Sequence, residues 1–166
     1  MDAKEIIELL NLEPHPREGG YYRETYRSNQ KIPVHELPSH FKKDKHVCTA
    51  IYYLLTPETF SALHRVPTDE LYHFYLGDPV IMFQLYSEGK SEKRLLGNNI
   101  DAGHCPQCLV PGGVWQGMKL IVGGRFALMG TTMSPGFDFQ DFELGKRSEL
   151  IEQYPEYEEM IKSLTT

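Results

Sequence analysis

Between Pro16 and Ser148 the sequence offers no long amphipathic helix, only a succession of short apolar and aromatic runs. Each run is bounded by Gly, Pro, Asn or Asp, the residues that break strands and build turns. Runs of this length, rich in aromatic and β-branched residues, suit a pleated, half-buried surface better than a helix. We read strands over residues 20–26, 49–55, 70–76, 80–86, 107–110, 115–122 and 126–133. Gly77-Asp78-Pro79 and Ser87-Glu88-Gly89-Lys90 are turns, and Gly123-Gly124 predicts a two-residue hairpin between the last two strands. Seven or more short strands with short links predict a mostly β, mostly antiparallel sandwich or barrel. The lack of alternating strands and helices argues against a parallel nucleotide-binding sheet.

Helices are expected only at the ends. Asp2 is placed to cap a segment whose Ile6, Ile7, Leu9 and Leu10 share one helical face, and Pro14 and Pro16 stop it. Ser148 is placed to cap Glu149-Leu150-Ile151, and Pro155 to open a last helix carrying Tyr157, Met160, Ile161 and Leu164. There is no internal repeat, low-complexity tract or linker, so residues 1–166 are expected to form one domain.

Charge narrows the partners. With 17 Lys+Arg against 23 Asp+Glu the net charge is −6, which argues against a nucleic-acid polymer as partner. Lys42, Lys43 and Lys45 read as a solvated loop. No apolar run approaches the roughly 20 residues of a membrane span, and the acidic N-terminus lacks the features of a signal peptide. A cytoplasmic protein with no membrane partner is the expectation. Three cysteines do not suggest a disulfide scaffold. The His104-Cys105-Pro106-Gln107-Cys108 cluster invites a zinc or redox reading. A lone Cys pair falls short of a four-ligand zinc site, and this one precedes a strand rather than a helix.

The stretch "SALHRVPTDELYHFYLGDPV", residues 61–80, concentrates the polar chemistry. Strand parity puts Glu70, Tyr72, Phe74 and Leu76 on one face and Leu71, His73 and Tyr75 on the other. A carboxylate on an inner face is costly unless it is paired or binds a metal, which marks Glu70. His64 precedes the break at Pro67 and can fold back toward it, whereas His73 reads as a packed or interface residue. In "LVPGGVWQGM", residues 109–118, a tight turn delivers Trp115 and Gln116 to opposite faces. The Gln116 amide can orient a polar ligand, but it is a poor transition-metal ligand beside imidazole. In "YYRETYR", Tyr21, Arg23 and Thr25 alternate with Tyr22, Glu24 and Tyr26. Phe137, Phe139 and Phe142 read as packing, and His15, His35, His40 and His46 as surface or loop residues.

The spacing from Glu70 to Gly77, followed by Pro111-x-Gly113-x-x-Gln116, resembles the two motifs of cupins. In that superfamily the first motif supplies histidines and a glutamate, and the second a histidine after Pro-x-Gly. Here Gln116 stands where that histidine would be, so the usual metal set is incomplete. Together "EGGYYRETYRS", "TAIYYLL", "FSALHRVPTDELYHFYLGDP", "LVPGGVWQG" and "SPGFDFQDFEL" resemble cupin family 5, from about Leu12 to Leu164.

The resemblance implies a mostly β, cupin-like double-stranded β-helix, a jelly-roll barrel with short N- and C-terminal helices, and a homodimer. It implies a small-molecule ligand in the barrel mouth, lined by Arg23, His64, Glu70, Tyr72, Trp115 and Gln116. Arg23 is offered to an anionic ligand, since a guanidinium pairs with carboxylate or phosphate. Three functions are carried forward. The first is a metal-independent isomerase or epimerase acting on a sugar- or nucleotide-like ligand, with His64 as base, Asp69 or Glu70 steadying it, and Tyr72 as acid. The second is an enzyme dependent on a divalent metal held by His64, Glu70 and Gln116. The third is a non-enzymatic ligand-binding barrel.

Overall fold

The computed structural model describes residues 1–166. Helix α1 (Ala3–Leu10) leads into β1 (Glu13–Pro14), β2 (Tyr21–Arg27), β3 (Lys31–Ile32), β4 (Lys45–His46), β5 (Thr49–Leu55) and β6 (Ser61–Arg65). Next come β7 (Glu70–Gly77), β8 (Val80–Leu85), β9 (Ser91–Leu96), β10 (Gln107–Val110), β11 (Trp115–Leu120), β12 (Ala127–Met133) and β13 (Glu143–Leu144). Helices α2 (Arg147–Gln153) and α3 (Glu158–Ser163) end the chain. An antiparallel sheet of order β1-β2-β5-β12-β7-β10 packs on a second of order β13-β6-β11-β8-β9, with β3-β4 as a separate ribbon. This is the β-rich fold with short terminal helices that the strand pattern predicts.

The period-2 alternation of each strand builds the core. Tyr53, Leu55, Tyr72, Phe74 and Met129 from the larger sheet meet Val80, Met82 and Met118 from the smaller. The helices cover part of the outer faces. Ile6 of α1 packs with Leu54, Phe126 and Leu128, while Leu150 of α2 and Ile161 of α3 pack with Leu63, Leu85 and Trp115. Helix α1 starts on a reciprocal capping box: Asp2 accepts from the Glu5 backbone N–H at 2.9 Å, and Glu5 accepts from that of Asp2 at 2.7 Å. No helix is long and apolar enough to cross a membrane.

Several expectations are corrected. Gly123-Gly124 does not close a hairpin, because β11 pairs with β6 and β8 whereas β12 pairs with β5 and β7. The glycines carry the chain from one sheet to the other. Besides the two-residue β1, β3, β4 and β13, two longer strands escape the sequence reading: β6, buried along most of its length, and β9, whose charged "SEKR" belongs to an edge strand paired only with β8. Ser148 lies inside α2 and does not cap it. In β7, Leu128 faces Leu76 but Met129 faces Phe74, so Tyr75 is an extra, bulged residue and Leu76 swings outward.

The lysine loop is not simply solvated. Lys45 is buried and ion-paired with Asp141, and Lys43 reaches Asp138 at 2.6 Å. These pairs fasten the segment between β12 and β13, which carries Phe137, Phe139 and Phe142 across one end of the barrel. Arg27 donates to the Phe137 carbonyl at 3.2 Å and Arg17 to that of Phe139 at 3.4 Å. The three cysteines are free thiols, and burial pushes the Cys108 thiol up to about 11, too high for a ready thiolate.

Candidate functional site

Under the phenylalanine segment lies a cavity of about 280 Å³. Its walls come from β2 (Tyr22, Glu24, Arg27), β5 (Thr49, Ile51), β6 (His64), β7 (Glu70) and β12 (Thr131, Met133). The loop ahead of β2 adds His15 and Glu18, and Phe137, Phe139 and Phe142 form the roof. His64 and Glu70 belong to different sheets, and the short crossing around Pro67 brings them together.

The buried ring of His64 is held from behind. Its Nδ1 donates to the Ala62 carbonyl at 2.8 Å, which leaves the lone pair of the neutral ring on Nε2. The ring stacks on Phe142 with centroids 4.9 Å apart. His15 has the opposite arrangement. The backbone N–H of Glu18 donates to its Nδ1 at 2.8 Å, so the proton of the neutral ring sits on Nε2. Both Nε2 atoms lie 3.9 Å from Oε2 of Glu18. One carboxyl oxygen is thus flanked by one imidazole N–H and one imidazole lone pair.

Glu18 reaches this position because its loop is sewn to the barrel. The Ala62 N–H donates to the Glu18 carbonyl at 2.9 Å, the Tyr53 hydroxyl donates to the Gly19 carbonyl at 2.8 Å, and Ser61 donates to the Glu18 carboxyl. Gly19 has φ +97°, and a Cβ there would stand 2.4 Å from the Phe60 carbonyl oxygen, so only glycine allows so close an approach. On the other wall Glu70 accepts from Gln116 Nε2 at 2.6 Å, while Gln116 Oε1 is buried without a partner.

Burial controls the protonation of all four groups. It lowers His64 and His15 from the usual imidazole range, opposed in each case by a neighbouring glutamate, so both rings are neutral at pH 7. It raises Glu18 and Glu70, opposed by the histidines and by hydrogen bonds from Ser61, Gln116 and Thr131. The site therefore combines uncharged bases with carboxyls that hold their protons more readily than usual, a set suited to moving protons near neutral pH.

The remaining candidates from the sequence lie elsewhere. Tyr72 sits two residues beyond Glu70 on the same inner face, in the apolar core rather than the cavity wall. Burial, with the Glu70 and Glu18 carboxyls nearby, drives its phenol well above 10. Asp69 is exposed and accepts from the Gly112 N–H at 2.8 Å, steadying the turn before β11 rather than His64. Arg23 is on the outer face, 5.6 Å from the Tyr52 ring. A bulge at Thr25 shifts the parity of β2, so Arg27 shares the cavity side with Tyr22 and Glu24. Trp115 packs beneath α2 and α3, with the Arg65 guanidinium 4.4 Å from its ring. Gln116 stands behind Glu70, and His73 bonds Thr132 and Gln107 on the outside. His15, read as a loop residue, and Glu18 are the functional candidates that sequence reasoning missed.

The donor set does not fit a metal centre. No three His, Cys, Asp or Glu side chains are disposed to share one ion. His15 presents an N–H, and Gln116 turns its amide nitrogen, which cannot ligate, toward Glu70.

A family model described as "Cupin superfamily (DUF985)" matches residues 4–145. The chain is 29% identical over 133 residues to the uncharacterized protein YML079W of Saccharomyces cerevisiae, a match covering 75% of this chain and 66% of the yeast protein. It therefore spans just under two thirds of that relative's length. A hypothetical protein from Leishmania major superposes with a TM-score of 0.91 at 33% identity, covering 99% of both chains. Protein SO0799 from Shewanella oneidensis gives 0.89 at 34% identity, covering 100% of this chain and 98% of that one. Oxalate decarboxylase from Bacillus subtilis shares the fold alone, with a TM-score of 0.56 at 16% identity over 93% of this chain and 37% of its own.

Proposed function

The chain belongs to the cupin superfamily family that matches it over residues 4–145, and on that footing we propose that its barrel mouth is a metal-independent acid–base site acting on a small, sugar-sized polar ligand. One observation carries this reading: His64 and His15, in opposite tautomers, flank the same Glu18 oxygen at 3.9 Å. A base with a free lone pair and a donor with a proton are what isomerisation or epimerisation needs. His64 Nε2 takes a proton from a carbon next to a carbonyl, and the electron pair moves to the carbonyl oxygen. His15 Nε2–H or a protonated Glu18 gives that oxygen a proton. His64 then delivers a proton to carbon while the oxygen's proton goes back to its donor, which completes the exchange without net redox change and restores both groups.

Size supports a compact ligand. At about 280 Å³ the cavity is at the lower end of small-molecule sites, enough for one sugar ring and too small to enclose a nucleotide as well.

The test is solvent exchange in deuterium oxide, followed by NMR on neutral sugars, amino sugars, sugar phosphates and sugar nucleotides. Deuterium should enter a carbon position with the protein alone and stop with His64→Asn. Exchange that appears only on adding Mn, Fe, Ni or Zn and tracks metal loading would replace this reading with the metal-dependent one. Ligand binding with no exchange in any sample would leave a non-enzymatic barrel.

A further inference from the structure

The cavity contains two hydrogen-bond acceptors that the protein leaves unserved. Glu18 Oε1 is taken by Ser61, but its Oε2 has no hydrogen-bond donor, the two imidazole nitrogens being 3.9 Å away. His64 Nε2 is likewise unbonded, on a side chain only 2% exposed. Both atoms belong to side chains that line the cavity and neither has a donor of the protein within hydrogen-bond distance, so a ligand that brings donors to them is favoured. A single hydroxyl has one proton and can satisfy only one of them. An ammonium group has three and can satisfy both.

The surroundings choose the same group. Glu13, Glu18, Glu24 and Glu70 line the cavity, while Arg27 is its one guanidinium or ammonium. That guanidinium is already committed, gripping both oxygens of Glu24 at 2.6 and 2.9 Å and the Phe137 carbonyl. A carboxylate or phosphate ligand would find no free cation in the wall. Tyr22 and the roof phenylalanines supply aromatic faces, which attract a cation. Arg17, 4.8 Å from the Phe142 ring, makes use of one such face already.

We infer that the ligand of this cavity carries an ammonium group, received between His64 Nε2 and Glu18 Oε2 within the aromatic wall. The inference rests on the proposed reading only in placing the ligand in the barrel mouth. The ammonium of the bound ligand occupies the His64 lone pair and must release it before that nitrogen can act as a base, so the inference stands or falls by binding rather than turnover. An amino sugar or a compact alkylammonium compound is the class expected, not an acid or a phosphate ester.

The test uses three probes of equal ring size, cyclohexylamine, cyclohexanol and cyclohexanecarboxylate, titrated into the full-length protein and followed by amide and imidazole NMR shifts. Cyclohexylamine should bind saturably at least tenfold more tightly than the carboxylate, with shifts centred on His15, Glu18, His64 and Phe142. Glu18→Gln should weaken the amine at least tenfold and leave cyclohexanol within about twofold. His64→Asn provides a second variant with the same expected loss for the amine, and each variant's amide spectrum reports whether it is folded. Equal or tighter binding of the carboxylate, amine shifts confined to exposed acids, or no saturable amine binding would overturn the inference. Amine binding without proton exchange would uphold it while removing the catalytic reading.

Discussion

Glu70 and Phe74 lie on the same inner face of β7, yet they belong to two different interiors. Around Phe74 the interior is mostly apolar: Val80, Met82, Met118 and Met129 are fully buried and offer at most a thioether sulfur, which in Met82 accepts weakly from Gln84 and Cys108. Around Glu70 the interior holds Glu18, Ser61, His64, Gln116 and Thr131, and Gln116 Oε1 is left without a partner. Burying polar groups without partners works against folding, and the apolar half offsets that cost through apolar burial. One continuous pair of sheets thus separates stability from chemistry along the length of its strands.

The largest blow to this division should come from the apolar half. Met129→Ala is expected to lose about 2–5 kcal/mol in chemical denaturation, the usual range for a truncated core methionine. A small loss there, or an equal loss from a cavity-end change such as Glu70→Gln, would break the distinction.

Next in size is the pH response of the polar half. Because burial raises Glu18 and Glu70 in the folded state, their contribution favours the native form at low pH and is lost as pH rises through their folded values. Glu18→Gln should therefore raise Tm at pH 8 by a few degrees and leave it nearly unchanged at pH 4, where the wild-type carboxyl is protonated anyway. Thermal scans at the two pH values decide the sign.

The histidines act in the opposite sense, and less strongly. Their lowered values mean that the contribution present above about pH 6.5 is lost as pH falls through the folded value. Between pH 7 and 5 the His15→Gln variant should lose less stability than the wild type, by a degree or two in Tm. A steeper loss in the variant would contradict the burial assigned to His15.

The smallest effect is expected at Asp69. Removing its bond to Gly112 with Asp69→Ala should cost about 1 kcal/mol or less and leave any proton-exchange rate unchanged. A collapse of that rate would restore Asp69 to the site and blur its boundary.

What the sequence could convey follows the same division. The apolar half is written in local alternation, so β5, β7, β8 and β12 are legible, as is the parity that sets His73 apart from Glu70. Bulges are not. The extra residue at Thr25 brings Arg27 round to the cavity side of Tyr22 and Glu24, while Arg23, ahead of it, keeps the outer face; the one at Tyr75 turns Leu76 outward, and neither has a distinctive residue to announce it. Glu70 is visible because a carboxylate falls on the apolar face of a strand pattern, and His64 because it stands just ahead of the break at Pro67. His15 and Glu18 lie in a polar loop where acids and histidines are unremarkable. Their signal was Gly19-Gly20 directly after Glu18, a pair whose positive φ values let the loop press against β5 and β6.

The roof over the cavity is held by fastenings of two kinds. Its attachments are largely electrical and come from distant parts of the chain: Lys43 to Asp138, Lys45 to Asp141, and the guanidinium groups of Arg17 and Arg27 to backbone carbonyls. Lys45 is shielded from solvent, so dissolved ions weaken its pair little. The Lys43–Asp138 pair is partly exposed and is loosened by salt. Ionic strength thus loosens one fastening of the roof and spares the other, while the barrel beneath keeps its shape.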